Sequence, residues 1–559
     1  MLITGMGTDM KNGIFIVLVL ALAGCGSGNE NPVAPQNGNG VSATLSVIEG
    51  QTYDFGALPI DSKVEKVFTI VNSGSQAATQ ISGNFTTSAF TFRGGTYPGI
   101  GGTCSSYLAP GGSCTVAVTF SPPYFQSFQE TLRVLYNNGS TVVATQNPVM
   151  SGRGIGGISG QADTTLALSG KLGLGQGTES GTVVVARPDR SIYVAGTSSS
   201  TGQSDFLVAH YLFDGSLDTA FGNNGIVNLD FSGTDDSPYA MVILSDGRIV
   251  LAGETFISGV RQMSVARLLR NGALDTTFNG NGKLALPVGD SDSGARSITA
   301  DFNGNLLIAG YAYVGTVRSV AVAHLLVTGL PDSNFGSAGT GWETAAVGAG
   351  DAFVSSILTN SAGEIFLAGY ANNGANNDFS ITKFTALGVL ASTFGTGGTA
   401  FFDIGSGTDD RAYAAQLTPN GQFLLAGSSN NGTVTNLTLL RLMPDFSPDG
   451  NFGTSGRVVI PFGSDSTAAS VRADSTGQVY VAGSVTVAAG DSEIAAVKLT
   501  SNGSLDPNFG TNGKSIVTYG TGLDQGVGLA IADNGKVLIV GEATIGASGS
   551  YLALVRLWP

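Results

Sequence analysis

An Ala-Gly pair that ends a short apolar run recurs seven times in the C-terminal part of this chain, at Gly196, Gly253, Gly310, Gly369, Gly427, Gly483 and Gly541. The intervals are 57, 57, 59, 58, 56 and 58 residues, and Val540 replaces the alanine in the last copy. A period of that length means one supersecondary unit stacked on copies of itself, because a single unit has nothing to cover its apolar face. The array fills residues 163–559, so this constraint governs most of the molecule.

The second copy shows what the unit is. It opens with Leu217-Asp218-Thr219-Ala220-Phe221-Gly222-Asn223-Asn224-Gly225, where Asp, Asn and Gly supply turn chemistry and Phe221 an apolar anchor. Strands are expected at 226–231, 239–244, 248–252 and 263–269, separated by Gly233-Thr234-Asp235-Asp236, Ser245-Asp246-Gly247 and Asn271-Gly272. Glycine makes up 83 of the 559 residues and charged residues only 12%, which fits many short strands and tight turns and not helices. Four antiparallel strands per unit is the pattern of a propeller blade. The fold class is therefore all-β, with seven blades. The last segment, Arg556-Leu557-Trp558-Pro559, reads as directly following a fourth strand. Neither end of the array looks polar and specialised, so a ring of seven complete units closing without caps is expected.

The L-D-x-x-F-G opening, the G-x-D-D turn, the D/N-G hairpin ending in Ala-Gly and the Ala-Arg-Leu strand make residues 163–559 resemble the delta-60 repeat of bacterial surface proteins. That family carries no assigned reaction, so the resemblance implies architecture alone.

The N-terminus has a different character. Lys11 precedes the apolar run Ile14–Leu22, which is too short to span a bilayer and reads as an export signal. Its ending, Leu22-Ala23-Gly24-Cys25, resembles the lipobox of bacterial lipoproteins, which implies cleavage after residue 24 and lipidation of Cys25. Gly26 follows, with no aspartate of the kind that retains such proteins in an inner membrane, so outer-membrane anchoring is expected. Residues 25–41 form a polar tether. Apolar/polar alternation then marks a small sandwich over 42–153. Within it Asp54-Phe55-Gly56, Asn72-Ser73-Gly74, Leu108-Ala109-Pro110-Gly111, the strand from Cys114 to Pro122 and Gly152-Arg153-Gly154 resemble the ASH/HYDIN-type immunoglobulin-like domain, which implies spacing or binding. Cys104 and Cys114 remain as an even pair in an exported chain, which favours a disulfide. Residues 154–162 read as a Gly-rich linker.

One repeated position is basic in all seven copies: His210, Arg267, His324, Lys383, Arg441, Lys498 and Arg556. Each copy also has an acid 17 or 18 residues before its marker glycine, among them Glu179, Asp236, Asp292, Asp351, Asp410, Asp465 and Asp524. A base in an apolar strand must be paired or reach solvent. The expected role is structural pairing between blades; the sharper alternative is a cationic ring that binds an anion. Asp-rich turns invite calcium, but none has the ordered ligand spacing of a known loop, so no metal and no cofactor is expected.

Both histidines of the chain, His210 and His324, are variants of that ring position, which leaves little for Ser-His-Asp or His-metal chemistry. The net charge of −15 argues against nucleic acid as partner. The expected function is a non-catalytic, lipid-anchored envelope protein whose propeller binds a protein or glycan at the cell surface. The alternatives are a propeller hydrolase or lyase acting on an extracellular polymer, and a passive spacer.

Overall fold

The computed structural model describes residues 42–559, apart from 61, 124–126, 146–147, 156–158, 164–165, 167–170, 173, 175–178, 200–201, 302, 406, 521 and 545–549. The export signal, Cys25 and the tether lie outside the described residues.

Residues 45–155 form the sandwich. Strands Leu45–Val47, Val64–Asn72, Ser113–Phe120 and Phe90–Phe92 make one sheet, and Ala78–Asn84, Tyr107–Leu108, Arg133–Asn137 and Val142–Ala144 a second. Between them lies a core that includes Phe68, Phe90, Val116, Phe120 and Val134, all fully buried. Asn72 of the Asn-Ser-Gly motif is buried and staples three segments. Its Nδ2 donates to the carbonyls of Gln76 and Leu108, and its Oδ1 accepts from the N–H of Thr44 and Gly74. Cys104 and Cys114 are disulfide-bonded, with Cα atoms 4.8 Å apart.

In the C-terminal region the described residues form seven four-stranded antiparallel sheets. Their inner strands are Glu179–Ala186, Asp236–Ile243, Ser293–Ala300, Ala352–Thr359, Asp409–Leu417, Ser466–Ala473 and Gln525–Ile531, and they define sheets 1 to 7 here. Apolar clusters sit between successive sheets; Phe278, Val265 and Ile308, for example, pack between sheets 2 and 3. A cluster containing Val194, Leu207, Leu538 and Leu554 packs sheet 7 against sheet 1 and closes the ring.

Two expectations about the repeat need correction. The first strand of each sequence unit belongs to the preceding sheet: Ile226–Leu229 pairs with Asp205–Tyr211, as its outer strand. The physical reason is the Leu-Asp-x-x-Phe loop, whose Asp218 N–H donates back to the His210 carbonyl and returns the chain to the same sheet edge. Consequently Ser550–Leu557 is a third strand, not a fourth. The outer strand of sheet 7 is Lys171–Leu172, from the other end of the repeat region, with Lys171 opposite Val555. The expected linker also shrinks. Residue 155 ends a sandwich strand, and 159–163 follow the last propeller strand through Gly160 N–H to Trp558 O, Trp558 N–H to Gln161 O and Asp163 N–H to Arg556 O.

Every inner strand carries a β-bulge at the same place. The register shifts fall between 181/183, 238/240, 295/297, 354/356, 412/414, 468/470 and 526/528. The bulge explains the marker glycine. It pushes an inner-strand carbonyl toward the second strand, and a Cβ at Gly196, Gly310 or Gly541 would land on the oxygen of Ser180, Gly294 or Gln525.

Candidate functional site

The seven basic residues occupy the third strands, and each has a carboxylate within reach. His210, Arg267, His324, Arg441, Lys498 and Arg556 meet Asp218, Asp275, Asp332, Asp449, Asp506 and Asp163 at 3.0, 2.7, 3.0, 2.8, 3.0 and 2.6 Å. These partners are the aspartates of the Leu-Asp-x-x-Phe loop. Beside Lys383 that place holds Ala391, and the lysine pairs with Glu364 at 2.8 Å instead. The arginines do more: Arg267 donates to the Val327 carbonyl, Arg441 to Ser501 at 2.7 Å and Arg556 to Phe213 at 2.7 Å, each on a neighbouring sheet. The ring therefore works as a set of structural clasps, and its positive charge is spent internally.

The acids before the marker glycine do a different job. Asp235, Asp292, Asp351 and Asp465 accept from the N–H of Ser204, Arg261, Arg318 and Thr435 at 3.0, 2.8, 2.9 and 2.8 Å. Asp236, Asp410 and Asp524 are buried and accept from the N–H of Phe231, Ile404 and Tyr519, each at 2.7 Å. They tie one sheet's edge to the next.

Between the inner strands of all seven sheets lies a central cavity of ≈ 770 Å³. The seven bulge residues all line it: Thr182, Tyr239, Arg296, Ser355, Tyr413, Ala469 and Val527. A bulge re-aims its side chain, and here each is turned inward near the start of its strand. This position lies 14 residues before the marker glycine in every copy. Unlike the clasp, it varies in chemistry. Sheets 2 to 5 contribute Tyr, Arg, Ser and Tyr, whereas sheets 6, 7 and 1 contribute Ala, Val and Thr.

Around the polar half the neighbouring side chains continue the asymmetry. Glu254, only 4% exposed, meets Arg261 at 2.8 Å, Arg296 at 3.0 Å and the Tyr311 hydroxyl at 3.2 Å. Arg296 lies 3.8 Å over the Tyr239 ring. Arg318 sits between two rings, 4.0 Å from the centroid of Tyr311 and 4.6 Å from that of Phe353. Phe353 stacks on Tyr370 at 5.0 Å, and Tyr370 meets Tyr413 at 5.9 Å. Arg411, by contrast, is paired with Asp409 at 2.7 Å. Arg318 forms no ion pair among the described residues, and its buried Nε has no hydrogen-bond partner there. Burial, and then the nearby Arg296, lower its pKa, but a guanidinium stays charged. Burial first, and Glu254 second, push the Tyr311 hydroxyl up to about 12. At the other end of the cavity Arg472 lines the wall.

Residues 46–146 match the family model described as HYDIN/CFA65/VesB-like, Ig-like domain. Residues 187–221, 244–278 and 475–509 match the one described as Domain of unknown function (DUF5122) beta-propeller. The chain thus carries an Ig-like domain of the HYDIN/VesB kind followed by DUF5122 propeller repeats. No curated protein sequence matches it. Among solved structures, the VesB protease of Vibrio cholerae is 19% identical over 20% of this chain, with a TM-score of 0.16, and the match spans only 31% of that chain. A protein of unknown function from Dyadobacter fermentans is 11% identical over 70% of this chain and 99% of its own, with a TM-score of 0.35. The polysaccharide lyase Uly1 is 11% identical over 67% of this chain and 90% of its own, also at 0.35.

Proposed function

We propose that this is a non-catalytic, lipid-anchored protein of the cell envelope whose propeller binds a surface protein or glycan at the aromatic end of its central cavity. The observation that carries the reading is Arg318: a charged group that forms no ion pair among the described residues, held between Tyr311 and Phe353 beside a cavity lined by further tyrosines. Tyrosine and arginine are the residues that dominate binding sites, and a held guanidinium selects an anionic group. The partner therefore presents an anionic group next to a flat face. The chemistry of the site supports binding rather than proton transfer. Glu254 is committed to two guanidinium groups at 2.8 and 3.0 Å, and burial pushes the Tyr311 hydroxyl up to about 12. The Cys104–Cys114 disulfide supports an oxidising compartment, in keeping with export and with lipidation of Cys25.

The test is affinity capture from solubilised envelopes, without crosslinking, with the wild-type protein and with Arg318→Ala. The reading expects a reproducible partner that is released by a polyuronate competitor, is resistant to a neutral polysaccharide, and is lost in Arg318→Ala. A partner that Arg318→Ala retains, or no partner at all, favours the passive spacer.

A further inference from the structure

Asp378, Asp403 and Asp410 come from three segments at the junction of sheets 4 and 5, and each places a carboxylate oxygen within 4.8 Å of the other two. Asp378 and Asp410 are 3% and 0% exposed. Three like charges at this spacing repel one another strongly once water is excluded. None of the three forms an ion pair among the described residues. The nearby cations are engaged elsewhere: Arg411 with Asp409 at 2.7 Å, and Arg457 with the Ile404 carbonyl at 3.3 Å.

A second observation points to a ligand. Asp378 Oδ2 accepts from Asn373 Nδ2 at 2.6 Å, but its Oδ1 is buried with no hydrogen-bond partner. An unsatisfied carboxylate oxygen in the interior is costly, and this one belongs to a carboxylate that lies within 4.8 Å of two others. Asp410 is better supplied, with the Ile404 N–H at 2.7 Å and Thr408 Oγ1 at 2.9 Å.

The repeat supplies an internal comparison. At the equivalent positions the junction of sheets 2 and 3 has Gln262, Pro287 and Ser293, and that of sheets 3 and 4 has Ser319, Ala346 and Ala352. The fold thus needs no carboxylate at these places. At the junction of sheets 1 and 2 the three acids return as Asp205, Asp230 and Asp236. There Lys283, the counterpart of Arg457, opposes the charge of Asp205, and both oxygens of the buried Asp236 accept hydrogen bonds, one from Thr255 Oγ1 and one from the Phe231 N–H at 2.7 Å.

We infer that Asp378, Asp403 and Asp410 form a binding site for a hard divalent cation of the calcium class, which clips sheet 4 to sheet 5. An all-oxygen, multiply charged donor set selects such an ion over zinc or copper.

The test uses the full-length protein freed of metal with EDTA, with Ca²⁺ alone as the probe, and reads binding by calorimetry and thermal unfolding. Wild type is expected to bind Ca²⁺ and to melt at a higher temperature in its presence. Asp378→Asn and Asp403→Asn are each expected to weaken binding by about 10- to 100-fold. In EDTA, Asp378→Asn is expected to melt no lower than wild type, because the amide removes repulsion. Asp230→Asn, at the lysine-balanced cluster, should leave the affinity within about twofold. The inference is overturned if wild type binds no Ca²⁺, or if Asp378→Asn and Asp403→Asn bind like wild type. It is equally overturned if Asp230→Asn weakens binding as much as Asp403→Asn, or if Asp378→Asn melts lower than wild type by the same margin with and without Ca²⁺.

Discussion

A methyl group placed on a marker glycine meets a carbonyl oxygen that cannot move without undoing the bulge beside it. Gly427→Ala, facing the Arg411 carbonyl, should cost about 1–3 kcal/mol in urea unfolding, whereas Gly432→Ala, with open space around its Cβ, should cost less despite its positive φ. The buried clasp at the ring closure makes a pH prediction. Lys536 and Arg556 share Asp163 at 2.7 and 2.6 Å, and burial, followed by Arg556, lowers the Lys536 pKa to about 8. Unfolded, the same lysine titrates at about 10.4. Between those values the unfolded chain binds more protons, so stability rises with pH; below about 8 the penalty is fully present. Wild type should gain about 2 kcal/mol between pH 7.5 and 9.5 that Lys536→Met does not. The marker glycine and the ring of bases are legible in the sequence because one is constant and the other stays basic throughout. The bulge residue escapes a search for constancy. Only counting 14 places back from each glycine exposes Thr, Tyr, Arg, Ser, Tyr, Ala and Val as one column, and that variation is what marks a site.

At the scale of the strand, periodicity and turn residues reveal that four strands recur per unit, but not which sheet each one joins. Local pattern is silent on pairing across a loop. The deciding contact is the backbone N–H at the aspartate place of Leu-Asp-x-x-Phe, which bonds the carbonyl of the preceding strand's base, from Ala391 to Lys383 as well as from Asp218 to His210, and sends the chain back to the same sheet. The same offset leaves sheet 7 short of an outer strand until Lys171–Leu172 fills it. A chain shortened to begin at residue 179 should therefore unfold at a lower temperature than one beginning at 159, since it lacks both that strand and Asp163. In the sandwich, replacing Cys104 and Cys114 together by alanine should lower stability by about 3 kcal/mol, the effect of opening a loop of this length. Far-UV melting that resolves the sandwich from the propeller checks that the loss stays in the former.

On the scale of the molecule, seven nearly equal sheets build a symmetric scaffold, and function is expected where the symmetry fails. The bulges and the inter-sheet clusters respect the sevenfold pattern, and the clasps do so at six of seven places, Lys383 finding Glu364 instead. The aromatic and arginine side chains at the bulge end do not: they gather on sheets 2 to 5 and leave the other wall to the small side chains of Thr182, Ala469 and Val527. A binding surface confined to one arc of one end follows from that distribution. The direct measurement is site-specific photocrosslinking in intact cells, with a photoreactive residue at Ser355, inside the aromatic arc, or at Ala473, toward the opposite end of the cavity. The account predicts a discrete crosslinked species from position 355 that disappears when Arg318→Ala is added, and none from position 473. Equal crosslinking from both ends, or a species at 355 indifferent to Arg318, would contradict it.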